Sequence, residues 1–198
     1  MLFFTRPTEE IIRAIITSQQ DRQYSYTEIG ASRGQLPPGY RVLHSRVELG
    51  RGSTQFVRAS EALHQWRMFD VPDVQLCWPT TPVQTGRVVA VLIRHFGFWS
   101  VNFCRIVYVI DDEDRSIRRV GFAYGTLAEH AEQGEERFTV EWDRSSDLVS
   151  YDILSFSRPG NWKTLVAYPL ARRLQQRFAD DSLSAMVRAV QQKRTTSP

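Results

Sequence analysis

The sequence has little cysteine and almost no lysine. Its two cysteines, Cys77 and Cys104, are too few for a disulfide scaffold, and neither sits in a CxxC or Cys/His pair with zinc spacing. The four histidines, His44, His64, His95 and His130, are scattered and form no HExxH. No GxSxG is present, which excludes the nucleophile elbow of an α/β-hydrolase. No GxGxxG or GK[ST] is present either, so dinucleotide and P-loop chemistry drop out. The longest unbroken apolar run, Val88–Ile93, falls far short of the roughly 20 residues a membrane helix needs. Behind Met1-Leu2-Phe3-Phe4 come Arg6, Pro7, Glu9 and Glu10, not an apolar signal core. These absences predict a cytoplasmic protein with reduced thiols, no metal, no cofactor and no membrane span.

What is present is ordinary for one globular domain over residues 1–198, with 42% hydrophobic and 24% charged residues. Of the 25 basic residues, all but Lys163 and Lys193 are arginine, and the net charge is +3. Arginine presents a planar fork suited to carboxylate and phosphate. Here, however, the arginines are spread along the chain among Asp and Glu. Only Arg172, Arg173 and Arg177 cluster, followed by Asp180 and Asp181, so a nucleic-acid partner is not expected.

Periodicity gives the element order. Pro7–Gln20 starts with Pro and two acids and carries Ile11, Ile12, Ile15 and Ile16, an amphipathic helix. Residues Ser32–Gly39 read as a loop and Tyr40–Leu49 as an alternating strand. Ser53 or Thr54 caps a second helix with a buried stripe of Phe56, Ala59, Leu63, Trp66 and Met68/Phe69. Six further strands follow: Val74–Trp78, Gly86–Arg94, Trp99–Ile110, Arg118–Thr126, Glu135–Asp143 and Leu148–Ser157. Turn signals separate them, including Phe96-Gly97, Asp111-Asp112-Glu113-Asp114 and Gln133-Gly134. After Pro159-Gly160 the period becomes helical. Residues 163–192 are expected to form one long helix whose Val166/Leu170/Leu174/Phe178 stripe packs on the sheet. The predicted class is α+β: a curved antiparallel sheet of about seven strands gripping a long C-terminal helix, with an extra N-terminal helix.

The block Phe122-Ala-Tyr124-Gly125-Thr126-Leu127-x-x-His130-x-x-x-Gly134-Glu135-Glu136-x-Phe138 resembles a family of uncharacterised proteins with a domain of unknown function. Leu49-Gly50-x-Gly52 with Phe56, Ala59 and Trp66, the Cys104–Tyr108 stretch, and Ser155-Phe156-Ser157-Arg158-Pro159 with Pro169, Arg172 and Gln175 agree with the same family. The resemblance covers nearly the whole chain. It implies the START-like, or Bet v 1-like, superfamily, whose members often hold an apolar ligand between sheet and helix. It transfers no catalytic residue.

Several constellations have chemical potential. His130 with Glu135 and Glu136 offers an acid or base and its orienting carboxylate, though adjacent glutamates on a strand point to opposite faces. The bland alternative is a hairpin loop with one solvated acid and one acid paired to an arginine such as Arg105. Arg105 and Arg158 are expected to hold a ligand carboxylate or to pair with Glu135, Glu136 or Asp152. Leu49–Thr54 has the look of an anion nest, but a tight turn and a helix cap explain it. Asp111–Asp114 reads as a solvated hairpin turn, not a metal loop. Two functions remain open. The first is a binding module for a small apolar or amphipathic ligand in the sheet–helix cavity, with Tyr124, His130, Glu135, Glu136, Arg105, Arg158, Trp66 and Phe178 as site candidates. The second is an enzyme using Glu135 or Glu136, His130 and Arg105 for acid–base chemistry in that cavity. Whichever glutamate points inward is expected to be held by Arg105 or Arg158, with Tyr124 nearby.

Overall fold

The computed structural model describes residues 1–95, 97–128, 130, 132–160 and 168–191, with residues 168–171 as backbone only. The expected helix start at 163 with Val166, the side chains of Pro169 and Leu170, Phe96 of the expected turn, and the tail after 191 lie outside the described residues. The elements are β1 (Leu2–Phe3), α1 (Glu9–Ser18), β2 (Arg41–Arg51), α2 (Ser53–His64), β3 (Val74–Cys77), β4 (Val88–His95), β5 (Phe98–Glu113), β6 (Ile117–Thr126), β7 (Glu132–Asp143), β8 (Leu148–Pro159) and α3 (Tyr168–Gln191). Short 3-10 turns occupy Ala31–Arg33 and Arg67–Phe69.

The sheet runs β2-β8-β7-β6-β5-β4-β3, every pair antiparallel, with β1 added against the start of β5. From β3 to β8 it is a meander, with connections of two to five residues except the ten-residue link 78–87 between β3 and β4. The one long crossing runs from β2 at one edge to β3 at the other. α2 and the turn at Arg67–Phe69 make that crossing over the concave face, and the result is a curled half-barrel. Every expected strand is found; the two-residue β1 is additional.

Local chemistry explains the ends. Thr8 caps α1, its Oγ1 accepting the Ile11 N–H at 3.3 Å, and Glu9 and Glu10 lie at the positive end of the helix dipole. The expected side-chain cap of α2 does not form. Gly52 is its cap residue at φ +86°, a left-handed value that glycine supplies without strain, and Ser53 is already helical. The Phe56, Ala59, Leu63, Trp66, Met68 and Phe69 stripe is buried throughout.

Among the described residues two large apolar clusters cover opposite faces of the sheet, and a small third one joins Tyr108, Ile110 and Ala123. The concave face packs Val120, Phe122, Phe138, Val140, Tyr151 and Ile153 against α2, the Trp66–Phe69 turn, and Ala179, Met186 and Val190 of α3. On the convex side, α1 lays Ile12 over Cys77, Val88, Ala90, Leu92 and Phe103. Strand β4 is thus covered on both faces, which is why its sequence is an unbroken apolar run without alternation. The expected stripe of α3 is corrected. Leu174 is exposed and Phe178 only partly buried, while Ala179, Ser182, Met186 and Val190 face the sheet. A strict spacing of four advances 400° and drifts about 40° per step, so Leu174 and Phe178 sit off the seam that the 3.6-residue period selects.

Among the described residues, no helix is long and apolar enough to cross a membrane. No group of three or more His, Cys, Asp or Glu residues among them is placed to hold a metal ion.

Candidate functional site

Strand alternation divides the YGTL–H–GEE block into two environments. Glu135 points to the convex face and is buried. Its Oε2 accepts the Tyr26 hydroxyl and the Gly30 N–H, each at 2.7 Å, and its Oε1 accepts the Ser32 N–H at 3.1 Å and the Ser32 hydroxyl. Four donors on one carboxylate pin the 26–32 loop against the sheet. The Ser32 hydroxyl also bonds Tyr108, and the Ser32 carbonyl accepts from Arg137, whose other nitrogen reaches Asp152 at 3.2 Å. His44 meets the second Asp152 oxygen at 2.5 Å. Gly125 makes room for this arrangement, since a Cβ there would lie 2.1 Å from the Tyr26 oxygen.

Glu136 points the other way, into the concavity, beside Tyr124 on β6. The Tyr124 hydroxyl donates to Glu136 Oε2 at 2.7 Å. Four residues earlier on β7 and on the same face, Glu132 accepts from Gln175 of α3, and the same Gln175 nitrogen lies 3.1 Å from the Ser157 hydroxyl of β8. Glu132 Oε1 is buried without a hydrogen-bond partner. Burial pushes Glu136 up to about 7, against one lowering contact from Tyr124. Burial, with the negative charge of Glu136, also pushes Glu132 up to about 7. Both nonetheless keep solvent-accessible surface, as do Ser155, Ser157 and Gln175. These groups form a recess at one end of the concave face, under the first described turns of α3. It is lined by poorly solvated carboxylates on residues that are only partly buried.

The arginines are elsewhere, which corrects the expectation that one of them holds the inward glutamate. Arg105 pairs in register with Gly125, on the convex face, and donates to the Gln19 and Gln20 carbonyls at the C-terminus of α1, at 3.0 and 2.7 Å. That end of α1 carries no basic residue of its own, so Arg105 completes its dipole. Arg158 is opposite Gln133, also convex, and donates to its Oε1 at 3.2 Å while lying over the Tyr40 ring. Parity decides both cases: side chains one residue apart on a strand take opposite faces. Among the described residues no guanidinium reaches Glu132 or Glu136.

His130 sits at the lip of the recess, and its Nδ1 lies against the Glu132 backbone, 3.0 Å from the carbonyl oxygen and 3.1 Å from the N–H nitrogen, the tautomer deciding which it bonds. Desolvation pushes it down to about 4, so it is neutral at physiological pH and supplies no charge. Trp66 and Phe178 are packing residues. Trp66 is fully buried, edge-on to Phe122, with its indole N–H on the Thr81 carbonyl at 2.7 Å. Phe178 lies 5.4 Å from Phe69, whose ring continues toward Tyr124 and Phe138. This aromatic cluster fills the middle of the concavity. Two other openings are surface grooves of about 370 and 380 Å³, one beside α2 at Phe56, His64 and Arg118, the other at Phe69, Leu76 and Arg188.

Sequence reasoning brought Tyr124, Glu136 and His130 to one end of the sheet but missed Glu132, Ser157 and Gln175 as parts of the recess. The signal for Glu132 was its spacing of four from Glu136, which on a strand means the same face. It was hidden because Gln133-Gly134 reads as a turn. Gly134 is in fact inside β7, where a Cβ would come within 1.9 Å of the Phe156 carbonyl oxygen.

Comparison with known proteins agrees with this geometry. The profile of a domain of unknown function, DUF1990, matches residues 25–185. A UPF0548 protein of Dictyostelium discoideum is 35% identical over 208 residues, covering 96% of this chain and 96% of that protein. In structure, the chain is similar to hypothetical protein jhp0584 from Helicobacter pylori, with a TM-score of 0.50 and 11% identity over 76% of this chain and 89% of that one. It is also similar to human STARD10, with a TM-score of 0.45 and 10% identity over 94% of this chain and 81% of that one. The fold is a curled antiparallel sheet with a long C-terminal helix, and the chain belongs to the DUF1990, or UPF0548, family of unknown function.

Proposed function

We propose that this protein binds a small amphipathic molecule at the open end of the concave face. The polar group of the ligand sits among Tyr124, Glu132, Glu136, Ser157 and Gln175. Its apolar part lies toward the aromatic wall of Tyr124, Phe138 and Phe69. The observation that carries this reading is the pair Glu132 and Glu136: two desolvated carboxylates on residues that are only partly buried, with no counter-charge among the described residues. Once ionised, such groups need compensation, and none of the described residues supplies it. The reading places the protein, with its buried free thiols Cys77 and Cys104, in a reducing cytoplasmic setting.

Native mass spectrometry of protein purified under mild washing tests the reading. A co-purifying small molecule, released on denaturation and absent from Glu136→Gln, is the expected result. A bare polypeptide mass, with no small molecule binding when metabolite extracts are added back, counts against it.

One observation favours a second reading. A carboxyl group near 7 bonded to a tyrosine hydroxyl suits proton transfer at neutral pH, so acid–base chemistry on the bound molecule by Glu136 and Tyr124 is the alternative. Turnover of the co-purified molecule by wild-type protein, lost in Glu136→Gln, would favour it over simple binding.

A further inference from the structure

The recess has a donor–acceptor imbalance that identifies what it takes. Tyr124 spends its only O–H on Glu136 Oε2. One Gln175 nitrogen serves both Glu132 Oε2 and the Ser157 hydroxyl. Glu132 Oε1 is left buried and unpaired. The remaining donors are the small hydroxyls of Ser155 and Ser157, which carry no charge. His130 at the lip has its Nδ1 engaged with the Glu132 backbone, at 3.0 Å from the carbonyl oxygen and 3.1 Å from the nitrogen. Arg105, Arg137 and Arg158 are all engaged on the convex face. Two carboxylates therefore share one pocket end with neutral neighbours only, among the described residues. In their ionised form they are left to N–H donors and positive charge that no described residue supplies.

Resting on the ligand-binding reading, we propose that the ligand carries a protonated amine, which docks between Glu132 and Glu136 with an apolar or aromatic body extending toward Tyr124 and Phe69. An ammonium has three donors. That number suits the orphaned Glu132 Oε1, the free lone pairs of Glu136 and the Tyr124 oxygen. The adjoining aromatic faces of Tyr124 and Phe69 also favour a cation over an anion. A ligand with a carboxylate or phosphate head is excluded by the same charges. At about pH 8 both glutamates are ionised and an alkylamine remains protonated, so the pairing is fully formed there.

The test uses three probes with one skeleton: 2-phenylethylamine, 2-phenylethanol and phenylacetate, titrated calorimetrically into the wild-type protein at about pH 8. The amine is expected to bind at least about tenfold more tightly than the alcohol, the size of one charge-assisted hydrogen bond, and phenylacetate is expected not to bind. Glu132→Gln and Glu136→Gln should each weaken the amine by about tenfold and leave the alcohol unchanged. If the alcohol or phenylacetate binds as well as the amine, the amine assignment is overturned while the ligand-binding reading stands. If none of the three binds at millimolar concentration, the amine assignment falls, and the mass of any co-purified molecule then decides the ligand-binding reading separately.

Discussion

On the convex face Glu135 collects hydrogen bonds from Tyr26, Gly30 and Ser32. One residue further on, across the same strand, Glu136 collects one, from Tyr124. The first environment was built for a carboxylate: backbone N–H groups and hydroxyls of the 26–32 loop converge on it, and no room is left. The second has the charge without the donors. The comparison teaches that a buried acid is informative according to who answers it. A fully satisfied one is an anchor for the chain, and an unanswered one marks a place where the molecule is incomplete.

The difference should be largest in stability. Replacing Glu135 with Ala leaves two backbone N–H groups and the Tyr26 hydroxyl without their acceptor and frees the loop. A loss of about 3–5 kcal/mol in urea unfolding is expected. A loss below about 1 kcal/mol would mean the loop is held by its other contacts, and the anchor role would be wrong.

Glu136 should behave in the opposite sense, and its effect depends on pH. Its carboxyl titrates near 7 in the folded protein against an ordinary value of 4.5, so between those values the native state binds more protons than the unfolded chain. Stability contributed by the protonated form is complete below about pH 4.5 and is lost as pH rises through about 7. Wild-type protein should therefore lose on the order of 1–3 kcal/mol between about pH 5 and pH 8, part of it through Glu132. In Glu136→Gln the decline should shrink, with stability at about pH 8 equal to or above wild type. Chemical unfolding at several pH values checks this, and an unchanged slope would sink it.

Two smaller effects sharpen the picture of the filled concavity. Phe178→Ala should cost about 1–2 kcal/mol, because the ring is only partly buried against Phe69, compared with about 3–5 kcal/mol for a fully buried phenylalanine. A larger loss would place the α3 seam on Phe178 after all. Smallest is the thiol chemistry. Cys104 is buried beside Glu136, and both burial and that negative charge push its thiol up, while burial pushes Cys77 up to about 11. Neither should react with a disulfide reagent in the native protein on the timescale of mixing. Rapid labelling of Cys104 would show that the recess opens more deeply than the fold allows.

The framework was legible in the sequence because its signals are local. Alternation gave most strands of the meander and turn residues most of their limits, whereas the cover of Val88–Ile93 on both faces came only with the structure. Parity alone also separated Glu135 from Glu136 and put Phe122 and Tyr124 on one face. What stayed hidden depends on contacts between distant segments. The 26–32 loop has no period, so nothing in it announced that Tyr26 and Ser32 would close on Glu135. The arginine partners were misassigned because a long side chain suits many carboxylates on paper, whereas register and face allow few. Gln175 belonged to a noticed motif but had no role until α3 was set against β7 and β8.

The central claim is that the concave recess holds two carboxylates without a counter-charge among the described residues. Carboxyl-carbon NMR of protein labelled at glutamate, titrated from about pH 4 to pH 9, measures it directly, with Glu132→Gln and Glu136→Gln assigning the signals. The account predicts that the two signals lost in those variants titrate near 7 and move down when 2-phenylethylamine is added. Midpoints between about 4 and 5 for both, unmoved by the amine, would show ordinary solvated glutamates and contradict it.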